Sequence, residues 1–465
     1  MKFRIEKDSL GEVKVPSQAL WGAQTQRAVD NFAISGIKMD FPFTKSFVSS
    51  LGLIKDAAAK TNLRLKLISS KKSKAISKAA KEIWQEKHHH QFPIDVFQTG
   101  SGTSSNMNAN EVIGNLASKF LKEKVNPNDD VNMSQSSNDV IPTAIKISAH
   151  LDMTKKLLPS LNELIKEISI KSEKIKGTIK TGRTHLMDAM PIDFSDELSA
   201  WLSQLESSKE NLIVLSKKLL ELPQGGTAVG SGINAHKQFS KYFAQEVTKL
   251  TGNKYKFISS NNFYHELSAQ DCSVQLSGEL KNLAIILTKI SNDLRWMNSG
   301  PLSGLSEIEL KALQPGSSIM PGKINPVIPE AVAMASADVI GNDVSISVAA
   351  QSGSFQLNVM LPVIAYNLLK SINLLSGAMN ALAKKAIRTF KVNHKNLEDS
   401  LLKNPILVTA LNPIIGYEQA AMIAKKAYKE RRPIIEVAVE ETNLSKSRLE
   451  KLLDPKKLAK GGIQK

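Results

Sequence analysis

Lys323 and Asn325 stand two residues apart in the run Gly316-Ser317-Ser318-Ile319-Met320-Pro321-Gly322-Lys323-Ile324-Asn325-Pro326. In an extended backbone that spacing sends both side chains out on the same side. One carries a full positive charge and the other an amide that both donates and accepts. Such a pair suits a carboxylate that gains electron density during a reaction. The frame around them is adaptable: Gly316 and Gly322 reach backbone geometries closed to other residues, and Pro321 sets the turn between them. A lone Pro-Gly-Lys would be a surface loop with an exposed lysine, but the whole run is far more specific.

Three further runs carry polar groups suited to holding or protonating an anion. In Gln98 to Ile113, QTGSGTSSNMNANEVI, Gly100 and Gly102 expose backbone N–H groups, and Thr103, Ser104 and Asn106 add hydroxyl and amide donors. A turn of this kind feeding a helix can hold a carboxylate on its donors and on the helix dipole. In Ser134 to Ala144, SQSSNDVIPTA, the group Ser136, Ser137, Asn138 and Asp139 precedes an apolar helical pattern. Simple N-capping explains that group and is compatible with substrate binding, because both use donors at a helix start. In Thr181 to Ile192, TGRTHLMDAMPI, His185 sits in a polar turn and is suited to proton transfer near neutral pH.

The elements that must position these runs are mostly helical. Residues 1–140 read as a mixed domain, with short extended pieces at RIEKDS and EVKVP and then helices broken by Pro and Gly. Residues 141–391 shift to long helical patterns with few breakers, among them SDELSAWLSQLESSKENLIVLSKKLLEL and QLSGELKNLAIILTKISNDLRWM. These exceed the average helix of roughly 11–12 residues and imply an elongated bundle. PVIPEAVAMASADVIGNDVSISVAAQ is apolar on more than one face, which suggests packing against other subunits. Residues 392–465 read as a small domain of shorter helices around GYEQAAMIAKKAYKE.

Composition narrows the function classes. Hydrophobic residues make up 42% and charged residues 23%, as in an ordinary globular protein, and the 5% aromatic content calls for aliphatic, alanine-rich cores. The N-terminal MKFRIEKDSLGEV has no apolar stretch and no run reaches the length of a membrane span, so a cytoplasmic enzyme is expected. Cys272 is the only cysteine, which excludes an iron–sulfur cluster ligated by cysteines of this chain alone. It lies in a helical pattern and reads as a small core residue. The net charge of +17 comes from dispersed lysines without zinc-finger spacing, RNA-binding signature or basic tail, so no nucleic-acid partner is expected. Adjacent histidines such as His88, His89 and His90 rarely share one ligand geometry, so no metal site is expected there.

Together the four runs, with WGAQTQRA near Trp21, resemble the fumarase/aspartase superfamily over almost the whole chain. Thr184-His185-Leu186 is similar to the fumarases, whereas aspartases carry glutamine in place of the histidine. Ser136-Ser137 and the tail LVTALNPIIGYEQAAMIAKKA also look fumarase-like, while Asn325-Pro326-Val327-Ile328-Pro329-Glu330 is spelled more like an aspartase. The histidine weighs more because it touches the chemistry. The chain therefore resembles the class II, iron-independent fumarases, with aspartate ammonia-lyase or another fumarate-releasing lyase as the alternative.

That resemblance implies a mainly α, three-domain subunit whose long central helices form a twenty-helix core in a homotetramer, with each active site shared between three subunits. It implies reversible anti addition of water to fumarate, giving L-malate in the tricarboxylic acid cycle through an aci-carboxylate intermediate, with no metal and no cofactor. Ser317 would be the carbon base, acting as an alkoxide once its loop closes. His185, oriented by Glu330, would handle the water, and Lys323 and Asn325 would stabilise the developing charge. Ser101, Thr103, Ser136, Ser137, Asn138, Thr184 and Ser318 would hold the carboxylates together with Lys323 and Asn325. Fumarases often carry His-Pro-Asn-Asp upstream, where the histidine marks a second dicarboxylate site. Here the run is Asn126-Pro127-Asn128-Asp129, and the lost imidazole weakens the case for such a site on Asn126, Asn128 and Asp129.

Overall fold

A computed structural model of the chain describes residues 2–39 and 42–463. It divides into two compact units, one made of Met1–Ser160, Ser208–Ala284 and Ala335–Gly377, the other of Leu161–Ser207, Ile285–Met334 and Ala378–Lys465.

The first unit opens on an antiparallel hairpin, β1 (Phe3–Asp8) and β2 (Gly11–Pro16), in the register Phe3 to Pro16 through Asp8 to Gly11. These are the extended pieces expected near the N-terminus. Helices α1 (Ala23–Asn31), α2 (Lys45–Arg64), α3 (Ser70–Trp84), α4 (Thr103–Leu121) and α5 (Ser137–Asp152) follow. The interior helix is α2, with Phe47, Val48, Leu51, Ile54, Ala57 and Ala58 all buried. It packs on α3, where Ala79 and Ala80 let the two backbones approach closely. Each fully buried Leu, Ile or Phe of this kind contributes about 1.5–3 kcal/mol of transfer free energy.

The chain continues through a single π-turn at Met153–Leu157 into α6 (Leu158–Ile175). The later helices are α7 (Phe194–Lys218), α8 (Phe239–Leu250), α9 (Phe263–Ser268), α10 (Asp271–Met297), α11 (Val327–Ala350) and α12 (Leu361–Ala381). At 25, 27, 24 and 21 residues, α7, α10, α11 and α12 are the long helices that the periodicity predicts. In α10 the buried set Leu276, Leu280, Leu283, Leu287, Ile290 and Leu294 recurs at three and four positions.

Among the described residues α11 is the one helix long and apolar enough to cross a membrane, so the expectation that no run reaches that length needs correcting. Its Asp338 pairs with Lys370 and its Asp343 with Lys281, an arrangement that belongs to a helix packed among other helices. Cys272 lies half-buried in α10, where burial pushes its thiol pKa up and makes it a poor nucleophile.

In the second unit an antiparallel hairpin, β3 (Ile179–Thr184) and β4 (Met187–Asp193), interrupts the mostly helical region, and the polar turn read around His185 is its tip. Its signal is weak because the two-residue turn, His185-Leu186, lacks the Asn-Gly chemistry that usually marks such hairpins. Beside it the helices Tyr417–Glu430, Ile434–Glu441 and Lys446–Leu452 close a small core of Leu411, Ile423, Val437 and Leu449, against which Met190 of β4 packs.

Candidate active site

In the second unit the Gly316–Asn325 loop is tied at its base. The Gly316 N–H donates to the Lys323 carbonyl at 2.8 Å, and Asn325 Nδ2 donates to the Gly316 carbonyl at 2.7 Å. The backbones come so close that a Cβ on Gly316 would sit 2.4 Å from the Lys323 oxygen, which is why glycine stands there. Gly322 makes the left-handed turn expected of it, with φ 81°. Ser317 Oγ accepts from the N–H groups of Ile319 and Met320 at 3.2 and 3.0 Å. Two donors on one hydroxyl oxygen stabilise negative charge there, and so favour its ionisation. Ser318 and Ile319 lie exposed at the tip.

Lys323, Asn325 and Glu330 line one cavity of about 1080 Å³, together with Arg295, Asn298 and Lys391. The extended spacing of Lys323 and Asn325 thus does bring both to one space. The Lys323 ammonium makes no ion pair or hydrogen bond among the described residues, so its charge is free for a ligand. Glu330 stands in the first turn of α11, where the helix dipole favours a carboxylate.

His185 occupies the tip of the β3–β4 hairpin, exposed, with φ 55°, and Leu186 follows at φ 61°. Two consecutive non-glycine residues in the left-handed region are held there by the strands. The base of the hairpin is rigid: Lys180 reaches Glu197 at 2.8 Å and Glu307 at 2.6 Å, Arg183 reaches Glu307 at 2.7 Å, and Asn404 donates to the Ala189 carbonyl at 2.8 Å. Thr184 ends β3 beside the histidine. Within the chain no hydrogen bond joins His185 to Glu330.

In the first unit, Gly102 in the left-handed conformation (φ 72°) leads into α4, whose first residue is Thr103. Gly100 is pressed against the chain, since a Cβ there would lie 1.8 Å from the Val359 oxygen. Of the two glycine N–H groups expected to be free here, that of Gly102 is committed, as are two in the first turn of α4. Gly102 N–H goes to the Thr99 carbonyl, Ser104 N–H to Thr99 Oγ1, and Ser105 N–H to Gln98 Oε1. The half-buried hydroxyls of Ser101 and Thr103 are bonded to each other at 2.8 Å.

Ser136 caps α5 through a full capping box with Asp139. The next two side chains are held by other segments: Ser137 Oγ accepts from Asn106 Nδ2 at 3.0 Å, and Asn138 Nδ2 donates to the Ala228 carbonyl at 2.8 Å. Asp139 is fully buried and accepts from the N–H groups of Ser136, Gly225 and Thr227 at 2.9 Å each. Burial pushes its pKa up to about 6 despite these donors. Sequence reasoning passed over Lys55 and Asn132, which stand behind Ser137. The available signal was a lysine on the apolar face of α2.

Elsewhere, Asn126 caps a short turn by accepting from the N–H groups of Asn128 and Asp129, and the neighbouring Asp130 pairs with Lys72. His88 bonds to Glu82, while His89 turns to the Ile83 carbonyl. Among the described residues no three His, Cys, Asp or Glu side chains gather as a metal site.

A lyase family model matches residues 11–341, and a fumarase C C-terminus model matches residues 407–460. The chain is 56% identical over 460 residues to "Fumarate hydratase class II 2" of Pseudomonas aeruginosa, covering 99% of each chain. It is 54% identical over 462 residues to a class II fumarate hydratase of Xylella fastidiosa, covering 99% of this chain and 96% of that one. Among solved structures, a class II fumarase from Schistosoma mansoni superposes with a TM-score of 0.95 at 38% identity, over 98% of this chain and 99% of that one.

Proposed function

From the premise that this chain belongs to the class II fumarases of the fumarase/aspartase superfamily, we propose how its two residue clusters divide the work of hydration. The enzyme is a hydro-lyase that adds water reversibly to fumarate to form L-malate. The alternative of an ammonia-lyase is not favoured.

In the direction of malate dehydration, Ser317 takes the proton from the carbon beside a carboxylate. A serine hydroxyl is a poor base in water and needs local activation. The observation that carries this role is the pair of backbone donors at Ser317 Oγ, which would stabilise an alkoxide. The electron pair left behind moves into the neighbouring carboxylate, which becomes a doubly charged aci-carboxylate. Lys323 and Asn325 supply positive charge and an N–H to that group, stabilising the state in which charge is greatest. His185 protonates the departing hydroxyl as it leaves as water, oriented by Glu330. Ser101, Thr103, Ser136, Ser137, Asn138, Thr184 and Ser318 hold the carboxylates.

Among the described residues no carboxylate bonds to His185, so the proposed His185–Glu330 pair would form between subunits. A homotetramer with a twenty-helix core, its sites shared between three subunits, would provide it. Val344 and Val348 on α11, both more than half exposed in the single chain, support burial of that helix by other copies. The family's three parts would fall at residues 1–140, 141–391 and 392–465, and the enzyme would serve the tricarboxylic acid cycle in the cytoplasm.

The test follows fumarate by ultraviolet absorbance in protein mixed with L-malate or with L-aspartate. A rise with malate alone, lost in Ser317→Ala and His185→Asn, is the expected result; a rise with aspartate alone would overturn it.

A further inference from the structure

We propose that Lys55 is a positioning residue that sets the direction of the hydrogen bonds behind Ser137, so that the Ser137 hydroxyl presents its proton to a substrate carboxylate. This rests on the reading of Ser137 as a substrate-binding residue. Lys55 lies on α2, fully buried, and donates from Nζ to Asn132 Oδ1 at 3.0 Å and to Gln135 Oε1 at 2.9 Å. Asn132 Oδ1 also accepts from Asn106 Nδ2 at 3.2 Å and from Asn110 Nδ2 at 3.1 Å. Asn106 Nδ2 in turn donates to Ser137 Oγ at 3.0 Å. Since Ser137 Oγ is already an acceptor in that bond, its own proton points elsewhere and is free to donate.

This polarity carries a cost. The Oδ1 atoms of Asn106 and Asn110 are buried without any partner, and a buried acceptor left unmade costs about 1–3 kcal/mol. If Asn132 turned over together with Asn106 and Asn110, its Nδ2 would donate to both oxygens. Asn106 Oδ1 would then also accept from Ser137, withdrawing the proton that a carboxylate needs. A protonated lysine forbids the reversal, because it only donates and requires an oxygen from Asn132. Gln135 is held the same way round by its own Nε2, which donates to the carbonyls of Val131 and Met133. Asn132 Nδ2 adds a bond to the Gln135 carbonyl at 3.2 Å, so the network is aligned from the lysine outward. Burial, with no carboxylate in contact, lowers the Lys55 pKa to about 7.

The experiment is steady-state kinetics of L-malate dehydration on Ser137→Ala, Lys55→Met and the double variant. Ser137→Ala is expected to raise KM. Lys55→Met is expected to raise KM about tenfold with kcat within about twofold, because a carboxylate contact kept throughout the reaction is uniform binding. Adding Lys55→Met to Ser137→Ala is expected to change KM no further. A lysine that served stability alone would lower the melting temperature and the active fraction while leaving KM unchanged. If Ser137→Ala leaves KM unchanged, the reading of Ser137 fails and the inference falls with it. If Ser137→Ala raises KM but folded Lys55→Met does not, or raises it equally in both backgrounds, the relay alone is overturned. Should Lys55→Met fail to fold, Asn106→Leu removes the donor to Ser137 and is judged by the same KM outcomes.

Discussion

Asn325 Nδ2 donates to the carbonyl oxygen of Gly316 across nine residues, at 2.7 Å. One residue therefore both closes the base of the Gly316–Asn325 loop and lines the cavity shared with Lys323 and Glu330. Asn325→Asp removes that donor and places a negative charge where the aci-carboxylate is proposed to form. The expected outcome is a fall in kcat of about 100-fold, the size of effect seen when one preorganised donor is lost, with the far-ultraviolet circular dichroism unchanged. A kcat within threefold of the parent would contradict the role.

The hairpin that carries His185 holds two left-handed residues in succession. Leu186 is 63% exposed, so replacing it removes little packing. Leu186→Gly relieves about 1–2 kcal/mol of left-handed strain and gives back roughly 0.5–1 kcal/mol through the freer unfolded chain. A net stabilisation of about 0.5–1 kcal/mol is expected in urea titration. A loss of stability would mean that the strands do not impose the strain.

Gly100 faces the Val359 carbonyl with no room for a side chain. Gly100→Ala must displace backbone rather than a flexible side-chain end. It should cost about 3 kcal/mol by denaturant unfolding and should weaken malate binding through Ser101 and Thr103. A neutral effect on both would show that the Val359 segment yields freely.

Two buried groups make stability depend on pH. Lys55 has its folded pKa lowered from 10.5 to about 7 by burial, so its contribution is complete above pH 10.5 and is lost as pH falls through 7. Asp139 has its folded pKa raised from 3.8 to about 6, again by burial; its contribution is complete below pH 3.8 and is lost as pH rises through 6. The stability of the parent relative to Lys55→Met should therefore increase between pH 7 and pH 10. Urea midpoints of the two proteins at several pH values test this, and a constant difference would count against a buried, titrating lysine.

Much of the architecture was legible because helical burial repeats locally. The spacing in QLSGELKNLAIILTKISNDLRWM marks the buried face of α10 without knowledge of its neighbours. The polar group Ser136 to Asp139 announced a helix start, and the capping box stands there. The Gly-Pro punctuation around Lys323 likewise located a turn that the structure contains. The β3–β4 hairpin was less legible, because its pairing is long-range relative to a helix turn and its tip uses His-Leu in place of the usual turn residues.

The sequence alone determined the helical class, the loop that carries Ser317, Lys323 and Asn325, and the identity of His185, because each depends on residues close together in the chain. Tertiary structure alone decided which donors remain free. The Gly102 N–H group looked available and is committed to the Thr99 carbonyl. The path from Lys55 through Asn132 and Asn106 to Ser137 joins positions spread over more than eighty residues. Hydrogen-bond direction depends on which donor meets which acceptor in space. That meeting is set by packing, and no local spacing records it.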